Sequence, residues 1–230
     1  MPLSRSGPLF DRLARRYDLG NRIVSLGQDL RWKRRAVARV GVRPGGAYVD
    51  AGSGTGDLSR LLAAASGGAR VLAVDASRAM LVAGHVPPAV GRVVGDAQAL
   101  PVADGSVDGV ASGFLLRNLP DLDAFLAAAA RALKPGGRLV VLEICHPRGR
   151  VRRALFRLHF HGVAPLLGGL ATGQWSAYRY LSRSLRAFPS PEELAAMAVR
   201  HGLAMVALER SEWLGLFLLT LERVPPGAAP

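Results

Sequence analysis

Apolar and polar positions alternate in blocks along this chain, and the block lengths predict its elements. Short aliphatic runs recur at Ala47–Val49, Arg70–Val74, Gly91–Asp96, Val107–Ser112 and Arg138–Glu143. Each is bounded by Gly, Pro, Asp or Ser, the mark of short buried strands. Between them lie stretches with helical spacing: Leu58, Leu61 and Leu62, then Ser77 to about Gly84, then Leu122 to Leu133 behind Asp121. Ser77 and Asp121 are good N-caps. Alternating strand and helix predicts helices on both faces of a parallel sheet. Ser190-Pro191-Glu192-Glu193 starts a last helix with proline at its first position. Ala204–Glu209 and Leu214–Leu221 then predict a closing antiparallel pair. The expected fold class is α/β, with a doubly wound, seven-stranded, mostly parallel sheet.

Two segments leave this alternation. From Leu9 to Val40 the apolar residues Phe10, Leu13, Tyr17, Ile23, Val24, Leu26, Trp32 and Val37 have helical spacing, interrupted by Gly20 and Gly27. Two or three short helices are expected there, lying over the strand ends. Residues 148–186 read as helical, with Leu155, Phe156, Leu158, Phe160, Leu166 and Leu167 on one side and arginine on the other. They predict an inserted, amphipathic cap. The expected organisation is a helical lid over residues 1–43, a nucleotide-binding core over 44–147, the cap over 148–189, and a helix with two strands over 190–230.

At 230 residues the chain makes one α/β domain with additions. No apolar run approaches the ~20 residues of a membrane span. The arginines at the start precede no apolar stretch, so no signal peptide is expected. The single cysteine, Cys145, suits a reducing cytosol. Net charge changes the picture more. Residues 1–43 carry 11 basic and 3 acidic side chains, and residues 148–186 carry 8 basic and none acidic. Residues 44–147 are nearly balanced, with 8 and 9. The basic segments suit nucleic acid, anionic lipid or an acidic ligand, or serve solubility alone.

The candidate chemistry centres on Val49-Asp50-Ala51-Gly52-Ser53-Gly54-Thr55-Gly56-Asp57. Strand, glycine turn and helix start form the entry to a nucleotide site. Glycines 52, 54 and 56 let backbone approach a ligand. Asp75 ends the second strand, 21 residues after Gly54, where a carboxylate can take both hydroxyls of a ribose; Ala76 follows it. A dinucleotide fingerprint requires Gly or Ala where Asp57 stands, so that pattern fails. Instead the loop resembles the S-adenosylmethionine loop of class I methyltransferases, whose cationic donor tolerates Asp50 nearby. Asp96, with Ala97, closes the third strand, where an acceptor can take an adenine amine. Gly113-Phe114-Leu115-Leu116-Arg117-Asn118 ends the fourth strand, facing the crevice.

Phe10-Asp11-Arg12-Leu13-Ala14-Arg15-Arg16-Tyr17-Asp18, Asn21 and Trp32-Lys33-Arg34 resemble the start of the ubiquinone/menaquinone C-methyltransferase family. So do Asp96–Pro101, Leu116–Asn118, Leu133–Gly137 and Leu142-Glu143. The more specific signature is Tyr178-Arg179-Tyr180-Leu181 with Ser184–Pro189. The resemblance implies a Rossmann-like class I methyltransferase acting on a ring carbon of a prenylated benzoquinol or naphthoquinol. It implies S-adenosylmethionine as donor and S-adenosylhomocysteine as product. Thr55, Asp75, Asp96 and Ala97 would bind the donor. Arg117 and Asn118 would serve catalysis, and Tyr17 and Tyr178 would close the pocket, with Phe114 and His161 also facing substrate. His146, His159 and His161 are rival bases. Where the family often has serine before Phe114 this chain has Gly113, so that contact passes to Ser112 or is lost. Its C-terminal strand, Trp213–Leu219, also departs from the family's Gly- and His-bearing pattern.

A prenyl tail would arrive from a bilayer, with cap arginines resting on anionic headgroups at the inner face of the membrane. No metal and no nucleic-acid partner are expected, and a homodimer is the simplest assembly. The alternatives are a methyltransferase for another lipid or phenol, an RNA methyltransferase or RNA-binding protein, and a donor-binding subunit without turnover.

Overall fold

In the computed structural model, residues 22, 25, 27–65, 67–163, 165, 166, 184, 185, 188–211, 213 and 215–225 are described. In chain order the elements are α1 (Asp29–Val40), β1 (Ala47–Ala51), α2 (Asp57–Ala65), β2 (Arg70–Asp75), α3 (Arg78–Ala83) and β3 (Gly91–Val94). Then come β4 (Val107–Gly113), α4 (Leu122–Ala132), β5 (Leu133–Ile144), α5 (Arg150–Leu158), α6 (Pro191–Val199), β6 (Leu203–Ser211) and β7 (Leu216–Arg223).

The seven strands form one sheet in the order β3-β2-β1-β4-β5-β7-β6. β1 pairs in parallel with both β2 and β4, and β2–β3 and β4–β5 are parallel too. β7 runs antiparallel to β5 and to β6. The chain order reverses between β1 and β4, which opens a crevice at their carboxyl ends.

Near-continuous apolar strands bury both faces. Along β5 and β7, Leu139, Val141, Phe217, Leu219 and Leu221 meet α4 and α6 through Phe125, Leu126, Leu194 and Ala198. The alternate residues Val140, Leu142, Ile144, Leu216 and Leu218 join α1, α2 and α5 through Trp32, Val37, Val40, Leu62 and Phe156. The two-residue side-chain period of a strand thus divides one run between two cores.

Four local outcomes follow from tertiary pairing. The helix expected to reach Leu133 stops at Ala132, because Leu133 already pairs with Val107 in the sheet. The first closing strand is longer than its apolar run and the second is shifted two residues toward the C-terminus, since β6 and β7 pair from Leu203–Arg223 to Ser211–Leu216. α1 lies in the sheet-face layer and reaches the crevice through Lys33. α5 continues as a wider π turn over His159–Val163, where Phe156 and Phe160 stack at 4.3 Å and anchor this helical stretch to the second core.

Candidate active site

The glycine loop is held by backbone hydrogen bonds and by close packing. Gly52 N–H and Ser53 N–H both donate to the Val74 carbonyl, at 2.8 and 3.0 Å. Gly52 has φ 69°, and a Cβ there would stand 2.6 Å from Leu115 Cδ1. At Gly56, with φ 87°, a Cβ would stand 2.1 Å from Val86 Cγ1. Both a left-handed backbone and a close neighbour therefore require glycine at these two places.

Asp75 closes the loop from the next strand. Its Oδ2 accepts from Gly54 N–H and its Oδ1 from Ser77 N–H, each at 2.8 Å. A carboxylate has about four lone-pair sites, so these two bonds leave Asp75 able to accept more than backbone N–H groups alone. Ser77 in turn caps α3 by accepting from Met80 N–H at 3.1 Å.

The cleft beside this loop has about 330 Å³ of empty volume and is lined by Lys33, Asp50, Gly52, Ser53, Gly54, Thr55, Asp57, Leu58, Gly113 and Phe114. Asp50 is fully buried. Its Oδ2 accepts from Ser59 Oγ at 2.6 Å, while Oδ1 has no partner. Burial drives its pKa up, against the Ser59 hydrogen bond, to about 6. Asp57 shows the opposite balance. Burial pushes its pKa up, but the charge and hydrogen bond of Lys33, with Arg60, hold it below the usual carboxylate range.

Across the crevice, the end of β4 turns at Phe114, whose φ of 59° is the one left-handed non-glycine backbone among the described residues. Such a conformation costs on the order of 1–3 kcal/mol and gathers at functional sites. The Phe114 carbonyl accepts from Arg117 Nη1 at 2.9 Å and from Asn118 Nδ2 at 3.1 Å. Arg117 Nη1 also donates to Glu143 Oε1 at 2.6 Å. Glu143 is wholly buried, and the same oxygen accepts from Ile144 N–H at 2.9 Å. Arg117 Nε and Asn118 Oδ1 remain buried without partners.

Five buried side-chain polar atoms lack a partner among the described residues; Asp50 Oδ1 and Ser53 Oγ belong to residues that line the cleft, and Arg117 Nε and Asn118 Oδ1 to the turn that follows its Phe114 edge. Buried polar groups are ordinarily satisfied, so such a cluster marks where a ligand supplies the missing bonds. An S-adenosylmethionine donor fits this test: an acidic orphan for its ammonium, a glycine cradle for its backbone approach, and Asp75 for its ribose.

Other sequence candidates are placed differently. Asp96 Oδ1 accepts from Gln98 N–H at 2.9 Å, and Gln98 Nε2 lies 3.1 and 3.2 Å from the two carboxylate oxygens. Gln98 Oε1 then accepts from Asp121 N–H at 3.0 Å, so Asp96 orders the approach to α4. Ala97 packs its methyl into the first core, leaving its backbone as the group a ligand could meet. Ala76 is half-buried after Asp75. Ser112 turns inward and donates to the Ala51 carbonyl at 3.1 Å, so it ties β4 to β1 and does not line the cleft. Gly113 does line it; a Cβ there would stand 2.9 Å from Leu58 Cδ1. Among the rival bases, His146 is exposed with its ring edge-on to Phe156, and His159 is edge-on to Phe160. Tyr17, Tyr178 and the side chain of His161 lie outside the described residues.

Sequence reasoning missed Lys33 and Glu143 as site residues. Glu143 had a readable signal, a lone carboxylate within the apolar run Leu139–Ile144. Lys33 had a weaker one, as one of two lysines among 30 basic residues.

The geometry agrees with what the chain resembles. Residues 4–213 match the model of the ubiE/COQ5 methyltransferase family. A demethylmenaquinone methyltransferase from Thermus thermophilus is 42% identical over 202 residues, covering 86% of this chain and 92% of that protein. A ubiquinone/menaquinone biosynthesis C-methyltransferase from Syntrophotalea carbinolica is 40% identical over 205 residues, 86% of each chain. Among solved structures, a putative S-adenosyl-L-methionine-dependent methyltransferase from Methanococcus maripaludis superposes with a TM-score of 0.67 at 18% identity, over 95% of this chain and 96% of its own. The [4+2]-cyclase SpnF superposes equally well, with a TM-score of 0.68 at 15% identity over 96% and 95%. At such identities the likeness shows the fold and leaves the reaction to the site. With its loop, its acidic strand ends and a family match over most of its length, this chain belongs to the ubiE/COQ5 methyltransferase family and is an S-adenosylmethionine-dependent methyltransferase.

Proposed function

We propose that the protein methylates a ring carbon of a prenylated quinol, with demethylmenaquinol as the first substrate to test. The observation that carries this reading is the pair of unpartnered buried atoms, Arg117 Nε and Asn118 Oδ1, across the crevice from the glycine loop. Relatives from Thermus thermophilus and Mycobacterium at 42% and 40% identity, named demethylmenaquinone methyltransferase, support the naphthoquinol ring.

The bound donor supplies an electrophilic methyl group on a sulfonium. The protein has to deliver an electron-rich carbon in line with it. A quinol carbon gains that character when the neighbouring hydroxyl loses its proton. Arg117 Nε–H would donate to the resulting oxyanion, and Asn118 Oδ1 would hold the water that carries the proton away. As the new C–C bond forms, the S–CH₃ bond breaks; the ring carbon then releases its hydrogen as a proton and the aromatic ring is restored. Glu143 holds Arg117 against the Phe114 carbonyl, which fixes where the donor N–H points. Orientation of this kind is worth about 7–11 kcal/mol in the best cases. The decisive assay combines enzyme, methyl-labelled S-adenosylmethionine and demethylmenaquinol. Label in menaquinone supports the reading; label confined to the donor in the presence of reduced quinone overturns it.

The tail of such a substrate brings the enzyme to a bilayer, and α5 supports this. Among the described residues no helix is long and apolar enough to cross a membrane. At 100° per residue, Val151, Leu155 and Leu158 share one stripe within about 60°, roughly opposite the buried Phe156. They are 72%, 50% and 64% exposed. Arg150 and Arg152 flank the stripe on its two sides, and Arg152 lies 5.4 Å over the ring of Trp213, itself 69% exposed. Exposed aliphatics interleaved with arginine suit the interface of an anionic membrane better than a nucleic acid. Cosedimentation with phosphatidylglycerol vesicles should fall at least tenfold in Leu155→Asp/Leu158→Asp, while methylation of a short-tailed quinol stays intact. Equal retention of both proteins removes α5 from the interface. Self-association into a homodimer remains part of this proposal, and light scattering at working concentration reads it directly.

A further inference from the structure

Two leucines cross between the glycine loop and the end of β4 in opposite directions. Leu115 follows the left-handed Phe114 and reaches toward the loop. A Cβ at Gly52 would stand 2.6 Å from Leu115 Cδ1 and 2.8 Å from both Cδ2 and Cγ, so three atoms of one side chain fill the notch that this glycine leaves. Leu58, in the first turn of α2, makes the reverse contact: its Cδ1 stands 2.9 Å from where a Cβ of Gly113 would lie. Leu115 packs on the first core and Leu58 belongs to the second, so the junction is pinned from both faces of the sheet. Leu115 is half-buried and is not one of the residues that line the cleft. Its carbonyl accepts from Asn118 N–H at 2.8 Å. The Phe114 carbonyl, one peptide earlier, accepts from Arg117 Nη1 and Asn118 Nδ2. The side chain that meets Gly52 and the carbonyls that hold Arg117 and Asn118 thus belong to two successive residues.

We propose that Leu115 is a positioning residue for methyl transfer: seated against Gly52, it fixes the Leu116–Asn118 turn at one distance from the glycine loop. The inference deepens the reading above and rests on Arg117 and Asn118 serving the transfer. Hydrogen bonds within the turn set its shape, but they do not set how far it stands from the loop. A close-packed apolar contact does. Movement of the turn toward the loop drives Leu115 into Gly52, and movement away opens a void whose lining loses its contacts. Methyl transfer is sensitive to that spacing, because a misplacement of about 1 Å can cost on the order of a hundredfold in rate. Leu115 acts from outside the cleft, through the backbone it shares with the turn. Occupation of the glycine loop and the firmness of the turn are then coupled through one side chain.

The test compares wild type with Leu115→Ala and Leu115→Met in three measurements. These are calorimetric affinity for S-adenosylhomocysteine, single-turnover methylation of demethylmenaquinol at saturating donor, and amide hydrogen exchange at Asn118 and Leu119, whose N–H groups close the turn. Leu115→Ala leaves a void at Gly52. It should slow methyl transfer at least tenfold while affinity for S-adenosylhomocysteine stays within about twofold. Leu115→Met, which conserves volume, should recover the rate to within about threefold of wild type. Saturating S-adenosylhomocysteine should slow exchange at Asn118 and Leu119 in wild type and in Leu115→Met, and leave it unchanged in Leu115→Ala. An unchanged transfer rate in Leu115→Ala would make Leu115 a core side chain only and overturn the proposal. A loss of donor affinity as large as the loss of rate would overturn it too, as would an equal exchange response in wild type and Leu115→Ala. Should Leu115→Ala not fold, Leu115→Val, shorter by one carbon, must show the same split between rate and affinity. If wild type transfers no methyl group to demethylmenaquinol, the quinol reading fails as a separate outcome, and the exchange response alone decides the role of Leu115.

Discussion

The two walls of the crevice are built on opposite plans. The β1–β2 wall is made of backbone: glycine amides donate to Val74 and to Asp75, and the conformation is set where a Cβ would not fit. The β4–β5 wall is made of side chains: a buried Arg117–Glu143 pair braces a left-handed turn at Phe114. The first wall leaves a carboxylate oxygen open at Asp50; the second pairs its cation internally and leaves one N–H of that guanidinium and the amide oxygen of Asn118 open. A wall that receives a cation can keep an anion ready. On the proposed reaction the second wall favours a transient oxyanion, for which a donor held still by a buried ion pair is suited.

The largest effect should come from breaking the side-chain wall. Glu143→Ala leaves a buried guanidinium without its partner, a change that costs about 3–5 kcal/mol. For a chain of this size that lowers Tm by on the order of 10 °C, read by thermal melting. The double variant Arg117→Met/Glu143→Leu should recover most of that stability and show no methyl transfer. A stable single Glu143→Ala variant with full activity would mean that the pair does not brace the site.

A change of opposite sign is expected on the backbone wall. The folded pKa of Asp50 is raised from 3.8 to about 6. The folded state therefore binds its proton more tightly than the unfolded state. The charged form costs the fold on the order of 3 kcal/mol above pH 6. That penalty fades as pH falls from about 6 and is gone below 3.8, where both states are protonated. The groups that face Asp50 are Ser59 of α2, Asp75 of β2 and Lys33 of α1. Asp50→Asn should raise Tm by several degrees at pH 8, lose that advantage by pH 4, and bind S-adenosylhomocysteine more weakly. A destabilised Asp50→Asn at pH 8 would show that Asp50 is compensated already in the free protein.

The smallest effect belongs to the link between the walls. Ser112 Oγ donates to the Ala51 carbonyl across the β4–β1 pair. Ser112→Ala removes one net hydrogen bond, about 1 kcal/mol. Denaturant melts should show that loss with donor affinity unchanged, since the hydroxyl faces away from the cleft. A tenfold loss of donor affinity would instead make Ser112 a contact.

Legibility in the sequence follows the same division. The loop from Gly52 to Gly56 and the acid at Asp75 were readable because backbone geometry restricts which residues can stand there. The inner strands β1, β4, β5 and β7 were readable because most of their residues are buried and their runs are largely apolar. Asp96 was legible as an acid at a strand end; its local partner Gln98, two residues on, was not. Gly113 was read as a contact that passes to Ser112 or is lost, and the structure adds that a Cβ there would meet Leu58 of a different element.

By itself, then, the order of residues determined the alternation of strand and helix, the glycine turn and the acidic strand ends, because each depends on local conformation or on a short period. Only the tertiary structure decided that Glu143 answers Arg117 across 26 residues, that Lys33 of α1 reaches Asp57 across 24, and that Asp50 keeps one oxygen unpaired. Those facts turn on which charges share a low-dielectric space, and that is settled when the sheet brings β1, β4 and β5 side by side.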